Sequence, residues 1–332
     1  MKFLNQFNHC SVLYNGIFTT LLIALGKGIG FAIPIFVAWL FGVTAETDAF
    51  FFAYGVIFFL CSIFSMTGES VLVPFIAEIK ADPKKTGQFV GNILAVSLII
   101  LFSVTILSLI ALWFLLPLVA NFSSQSNVLI FKLLLEISPM VLLTFWVSVF
   151  NGTLNAYGIY WLPAVSLGIR GAIVILFVLL TSRMIGVHSL VLGYLVAETV
   201  RLLLSGLWVY GKQLLDVHIS FRSDTHIRSF FKTSFYYLIG SASIGFNPVI
   251  DRIFASYAGL GGITLLEYSR NIFYAVIGVL SSGFFTVILS DWSQRFYHGN
   301  PDRVKQEVLN GAKIVFPVAV LTTVVLFLSS NW

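Results

Sequence analysis

The chain has 332 residues, 58% hydrophobic and only 10% charged, a balance that a water-soluble domain of this length could not bury and still present a wettable surface. This excludes a soluble enzyme or soluble binding module and defines an all-α polytopic membrane protein. The formal net charge of +5 lies largely between the apolar runs, so it gives no reason to expect a nucleic-acid partner.

A helix needs about 20 apolar residues to cross a hydrocarbon layer of roughly 30 Å, and the sequence predicts nine such runs. The first, residues 16–41, is too long for a signal-peptide core and no small-residue cleavage site follows it, so it is kept as a spanning helix; it carries Lys27. The second, 48–79, opens on Asp48 and contains Cys61 and Glu69. The third, 88–118, holds "NILAVSLIILFSVTILSLIALWFLLPL", apolar on every face, which is a helix pattern and not the alternation of a β-barrel. The fourth, 128–150, has Lys132 and Glu136 near its start; the fifth, 161–181, carries Arg170; the sixth, 188–211, carries Glu198 and Arg201. A polar linker over 212–229 separates these from the seventh run, 230–257, with Asp251 and Arg252, and the eighth, 263–289, with Glu267 and Arg270. "NPDRVKQEVLNGAK" reads as an amphipathic surface helix before the ninth run, 312–330. Cys10 and Cys61 lie in no metal or redox spacing and are expected to be free thiols.

Orientation follows from the lysines and arginines between runs. With the N-terminus cytoplasmic, the inner segments hold twelve (Lys2, Lys80, Lys84, Lys85, Lys212, Arg222, Arg228, Lys232, Arg295, Arg303, Lys305 and Lys313), whereas the outer segments hold only Arg183. A membrane enzyme needs acids, bases or metal ligands in an aqueous loop. The outer segments offer little beyond Glu46, Arg183 and His188, and the inner ones scatter His218, His226 and His298 without a catalytic or metal-binding spacing. The reading is therefore a transporter, not an enzyme, with no catalytic or metal-binding residue.

Ionisable residues inside apolar runs are costly and mark functional candidates. Glu198 and Arg201, like Glu267 and Arg270, are three apart on one helix face and can neutralise each other. Asp251 and Arg252 are adjacent and cannot face the same groove. Lys132 and Glu136 can pair four residues apart. Lys27 and Arg170 have no partner on their own helices and sit near mid-membrane, beyond the reach of a side chain to the surface. Either they pair with Glu69 or backbone carbonyls of a neighbouring helix, or they project into a water-filled cavity and attract an anion, with phosphate the best fit.

"GKGIGFAIPIFVAWLFGVTAETDAFFFA", residues 26–53, resembles the first-helix signature of the MurJ (MviN) lipid II flippases: a basic residue, Gly three later, an FG pair ending the helix, then T-D-A-F-F. "DRIFASYAGLGGITLLEYSRNIFYAVIGVLSSGFFTVILSDWS", residues 251–293, resembles the stretch joining that family's seventh and eighth helices. The resemblance implies the fold of the multidrug/oligosaccharidyl-lipid/polysaccharide exporter superfamily, two six-helix lobes around a cavity that opens alternately to each side. Here it would comprise a six-helix N-terminal lobe over 1–211, the cytoplasmic linker over 212–229 and an incomplete second lobe over 230–332. "GVTAETDAFFFAY" and "GLGGITLLEYSRN", each a glycine-started turn leading into an aromatic-rich helix, hint at the internal repeat.

The implied function is translocation of an undecaprenyl-pyrophosphate-linked saccharide, lipid II or a polysaccharide repeat unit, across the bacterial cytoplasmic membrane. Lys27 and Arg270 carry over from the family by position; Arg170 and Arg201 join them by depth as the expected pyrophosphate contacts. Asp48, Glu69, Asp251, Arg252, Glu198 and Glu267 form the gating and structural charges, with Asp48 expected to cap its own helix or gate the outer side. The chain departs from the family where a second Arg and an Asp usually stand, at Ile33 and Pro34, and "LCSIFSMTGES" lacks the usual arginines before E-G, which broadens the substrate class beyond lipid II. The family has about fourteen helices, so a fragment or truncated product is expected. No cofactor is expected, with membrane potential or a monovalent ion as the driving force; membrane lipids and other cell-envelope biosynthesis proteins are the remaining expected partners. The rival readings are an ion-coupled exporter of organic cations and a membrane-embedded transferase.

Overall fold

A computed structural model describes residues 2–216 and 225–274, together with residues 306, 309, 313, 316, 317, 320, 321 and 324; the side chains of the first helix are described from Phe18 onward. Every regular element among them is helical. The chain forms two compact units, residues 1–271 and 272–332.

In the first unit α1 (Lys2–Phe41) is a single helix whose described apolar part begins at Phe18. Gly42, at φ +63°, ends it, because only glycine turns left-handed without strain. Thr44 and Thr47 then exchange side-chain-to-backbone hydrogen bonds, a capping box that starts α2 (Ala45–Met66). A π-helical turn, Thr67–Val71, joins α2 to α3 (Leu72–Ile79). Asp82 caps α4 (Pro83–Val119) by accepting from the Lys84 and Lys85 amides. The fourth run divides into α5 (Ser124–Ile137) and α6 (Met140–Ala156) at Ser138 and Pro139, a proline that cannot donate to the helical ladder. α7 (Trp161–Ile185) and α8 (His188–Gly211) complete the series.

Among the described residues, six stretches are long and apolar enough to cross a membrane: Phe18–Phe41, Ala45–Ile79, Pro83–Val119, Ser124–Ala156, Trp161–Ile185 and His188–Gly211. They coincide with the first six predicted runs. The seventh run is helical in two pieces, α9 (Thr225–Gly245) and α10 (Asn247–Ala255), separated at Phe246. The eighth is described as helix over 262–274, here α11. The remainder of the eighth run, the ninth run but for a few positions, His218, His298 and the Cys10 side chain lie outside the described residues.

Packing follows residue size. α1 lies against α7 where Gly26 meets Gly168 and Ile29 meets Gly171, so two backbones approach with no side chain between them. α6 receives the π turn of α2 in the same way, with Gly68 against Ser148 and Gly152 against the Gly68 carbonyl. α4 turns Ile99, Phe102, Leu107, Phe114 and Leu118 outward, as a helix facing acyl chains should. Lys212 to Asp216 folds back along α4, where the Asp216 amide donates to the Gly87 carbonyl.

Candidate functional site

α8 packs between α6 and α7, and this burial leaves Glu198 with no exposed surface. An isolated carboxylate there would be untenable, so its partners are close. Both Glu198 oxygens lie 2.9 Å from Arg201 Nη1, one turn along the helix, and Oε1 lies 3.0 Å from Nε of Arg170 on α7. Ser166 Oγ, also on α7, accepts from Arg201 Nη2 at 3.4 Å. The two arginines differ in environment, since the Arg201 side chain is 6% exposed and that of Arg170 is 18% exposed. The Arg170 guanidinium stands 5.3 Å over the ring of Tyr194, which meets Tyr54 of α2 at 4.7 Å between centroids. Tyr54 stacks in turn with Phe50 and Phe58.

A second cluster of the same build lies against the next residue of α2. Glu267 and Arg270 sit one turn apart on α11, with Arg270 Nη2 3.3 Å from Glu267 Oε1, while Nη2 of Arg252 on α10 reaches Glu267 Oε2 at 2.7 Å. Arg252 also donates to the Pro248 carbonyl at 3.0 Å. Again one arginine is sealed in and the other is partly exposed: the side chain of Arg252 is 2% exposed and that of Arg270 is 19% exposed. Arg252 lies flat on Gly55, where any side chain would collide with its guanidinium. Tyr54 and Gly55 thus carry one Arg–Glu–Arg clasp each.

At the end of the bundle marked by Gly42, Asp48 accepts three hydrogen bonds from the start of α11: from the Gly261 amide at 2.6 Å, the Thr264 amide at 2.8 Å and the Thr264 hydroxyl at 2.6 Å. Gly261 adopts φ +87° and is pressed against Val43, so glycine is required there twice over. Tyr268 Oη donates to the Gly42 carbonyl at 3.1 Å. Asp48 is therefore a helix cap, but of α11 and not of its own helix, whose cap is Thr44. An acid in the first turn of a helix ordinarily serves that helix, and nothing local in the sequence shows the folding partner.

The other expected residues are dispersed. Lys27 is exposed on α1, the helix that packs against α7, and among the described residues the hydrogen bonds and ion pairs of Glu198 and Glu267 run to other side chains. Arg170 has a partner after all, Glu198 on the neighbouring helix, not Glu69. Glu69 stands on the π turn beside Asn151 and Arg201. Asp251 is exposed and Arg252 buried, which agrees with their opposite facing. Glu136 pairs with His188 Nδ1 at 2.6 Å, across two helices, and not with Lys132, whose side chain is exposed. Tyr54, Gly55, Tyr194, Ser166 and Thr264 were not singled out from the sequence. The E-x-x-R spacing, which occurs in both clasps, was the available signal for their location.

An all-helical bundle of long apolar helices with arginines buried between them is the architecture of a multi-pass membrane protein. The same fold is found in a solved structure described as the inward-facing conformation of a multidrug resistance MATE family transporter of the MOP superfamily, with a TM-score of 0.70 and 18% identity over 91% of this chain and 68% of that one. It is found too in "Lipid II flippase MurJ, inward closed conformation", with a TM-score of 0.68 and 22% identity over 84% of this chain and 59% of that one. The family model for lipid II flippase MurJ matches residues 37–332, and the chain belongs to that family. The probable lipid II flippase MurJ of Buchnera aphidicola subsp. Acyrthosiphon pisum (strain APS) is 24% identical over 328 residues, covering 93% of this chain and 62% of that protein. The lipid II flippase MurJ of Thermosipho africanus (strain TCF52B) is 28% identical over 195 residues, covering 57% of this chain and 39% of the relative. The chain therefore spans less than two thirds of the length of these curated relatives.

Proposed function

We propose that the chain handles substrate in a flippase that moves an undecaprenyl-pyrophosphate-linked saccharide, lipid II or a polysaccharide repeat unit, across the bacterial cytoplasmic membrane. Membership of the MurJ family supports the class of activity. The observation that carries the substrate chemistry is the pair of partly exposed arginines, Arg170 and Arg270, on either side of Tyr54 and Gly55 and well inside their helices. Arg170 is the tenth residue of α7, roughly 14 Å from its start. Guanidinium is the side chain best matched to phosphate oxygens. Lys27 adds an exposed cation on α1, and Arg201 supports Arg170 from within. Asp48 of α2, bound to the start of α11, acts as the outer gate, closing one end while the cavity faces the other.

In this reading residues 1–211 form the first lobe, 212–229 the cytoplasmic linker and 230–332 belong to the second lobe, with the N-terminus inside. No cofactor enters, and the membrane potential, about 2.3 kcal/mol per charge per 100 mV, resets the cationic cavity. The shared MATE fold supports one second reading, an ion-coupled exporter of organic cations. Two partly exposed arginines repel such a substrate, so the anionic reading is preferred.

Native mass spectrometry of the purified chain with undecaprenyl pyrophosphate and with undecaprenol decides between them. Selective retention of the pyrophosphate lipid, lost in Lys27→Ala and Arg170→Ala, is the expected result. Equal retention of both lipids would overturn the reading.

A further inference from the structure

Away from the arginine clasps, α4 and α5 leave an open cleft of about 590 Å³ between them, a volume in the range of small-ligand sites. Apolar and aromatic side chains alone line it, among them Leu109, Ile110, Trp113 and Phe114 of α4 and Phe131 and Leu135 of α5. The Trp113 and Phe131 rings meet edge to face at 4.5 Å between centroids, which ties the two walls together. Both walls belong to stretches long and apolar enough to span a membrane, and Phe102, Leu107 and Leu118 of α4 are exposed around them. Hydrocarbon, not water, therefore meets the cleft. Its polar groups are few and stand toward one end. Lys132 is exposed and lies on one stripe of α5 with Val128, four residues before it, and Leu135, three after it. Helical side chains lean toward the N-terminus of their helix, which carries the Lys132 ammonium away from Leu135 and toward Ser123, where α5 begins. Lys132 is the ninth residue of that helix, roughly 12 Å from its start, and a long apolar stem lifts its ammonium toward headgroup level. The one acid of α5, Glu136, is taken by His188 at 2.6 Å, and no carboxylate pairs with Lys132 among the described residues. Nor does the Trp113 indole N–H make a hydrogen bond among them.

We propose that the cleft between α4 and α5 is a binding site for an anionic glycerophospholipid. One acyl chain lies between the α4 and α5 walls, the Trp113 indole N–H donates to an ester carbonyl, and Lys132 takes the phosphate. An apolar groove touches a chain on several sides where a flat helix face touches it on one, and those added contacts hold one lipid in place. The charge on Lys132 selects the headgroup. A zwitterionic lipid brings its own cation, which competes with Lys132 for the phosphate, whereas an anionic lipid leaves the phosphate to the lysine. The site shares no residue with the arginine clasps and does not depend on the substrate assigned to them.

The test places the full 332-residue chain in phosphatidylcholine nanodiscs doped with phosphatidylglycerol or phosphatidylcholine whose acyl chains carry bromine, a short-range quencher of tryptophan fluorescence. Trp113→Phe keeps an aromatic ring in the cleft and, by difference, isolates the signal of Trp113 from that of the other tryptophans. Half-maximal quenching of Trp113 is expected at about fivefold lower mole fraction of phosphatidylglycerol than of phosphatidylcholine, the scale of one base acting on an anionic lipid. Lys132→Gln is expected to abolish that preference and to leave the thermal midpoint in detergent unchanged, because the side chain it alters is exposed. Equal quenching by the two lipids, or a preference that survives Lys132→Gln, would overturn the proposal. So would relief of the phosphatidylglycerol quenching by unbrominated undecaprenyl pyrophosphate at the same mole fraction, which would give the cleft to an isoprenoid chain. Quenching that falls when two copies of the chain share a disc would give the cleft to the second copy and overturn the proposal as well.

Discussion

At Gly55 the absence of a side chain decides how three helices meet. The Arg252 guanidinium fills the space a Cβ would occupy, which brings α10 onto α2 and holds Arg252 within 2.7 Å of Glu267. Gly55→Val is expected to destabilise the chain by about 1–3 kcal/mol, the usual cost of overfilling a packed site, measured as a lowered midpoint of thermal unfolding in detergent. Arg252→Ala in the same chain should recover part of that loss, because the intruding group is then gone; strict additivity of the two changes would show that the residues do not interact. The E-x-x-R pairs were legible in the sequence because they follow from helix geometry alone. The cross-helix partners were not. Arg170 has no local mate, and no spacing rule reveals that α7 and α8 set it against Glu198. Nor could Asp48 be assigned to its helix: its three donors lie more than 200 positions further along the chain.

Helices were the easiest level to read, since uninterrupted apolar runs admit little else in a membrane. The first six runs appear as the six long apolar stretches, with ends shifted by a few residues. Two internal irregularities were not foreseen. The break at Pro139 divides one run into α5 and α6, and the π turn at Thr67–Val71 inserts a register change in the middle of another. Both interrupt helices without interrupting hydrophobicity, so composition does not register them. The π turn has a packing cause in Gly68 and Gly152, which let α2 and α6 approach closely enough to exchange backbone and hydroxyl contacts. The seam between α1 and α7 obeys the same rule. Gly26→Leu places a branched side chain where the Gly168 backbone lies 2.9 Å from a bare Cβ. It is expected to push the two helices apart and to lower the thermal midpoint in detergent well below that of Leu25→Ala, a change at an exposed position of the same helix. Equal midpoints for the two variants would show that the seam carries no packing energy.

For the molecule as a whole, the sequence's most direct statement concerns orientation, through twelve bases on one side and one on the other. Cysteines introduced at Lys84 and Ile185 and exposed to an impermeant thiol reagent in intact cells should react at 185 and not at 84. The opposite pattern would invert every inner and outer assignment. The overall division into helices and the family emerged from hydrophobic runs and short motifs, whereas the joining of α2 to α11 depends on contacts that only folding creates. That joint has a consequence for how the bundle parts. The Asp48 carboxylate is 6% exposed, and its three donors belong to a helix start whose dipole favours a negative charge. Pulled apart in a dry interface, both halves would be left unsolvated at a cost of several kcal/mol. Water must therefore reach Asp48 and the α11 start as they separate, and parting and wetting become one event. The dry, joined state then gains ground in concentrated osmolyte, which withdraws water from newly exposed protein surface.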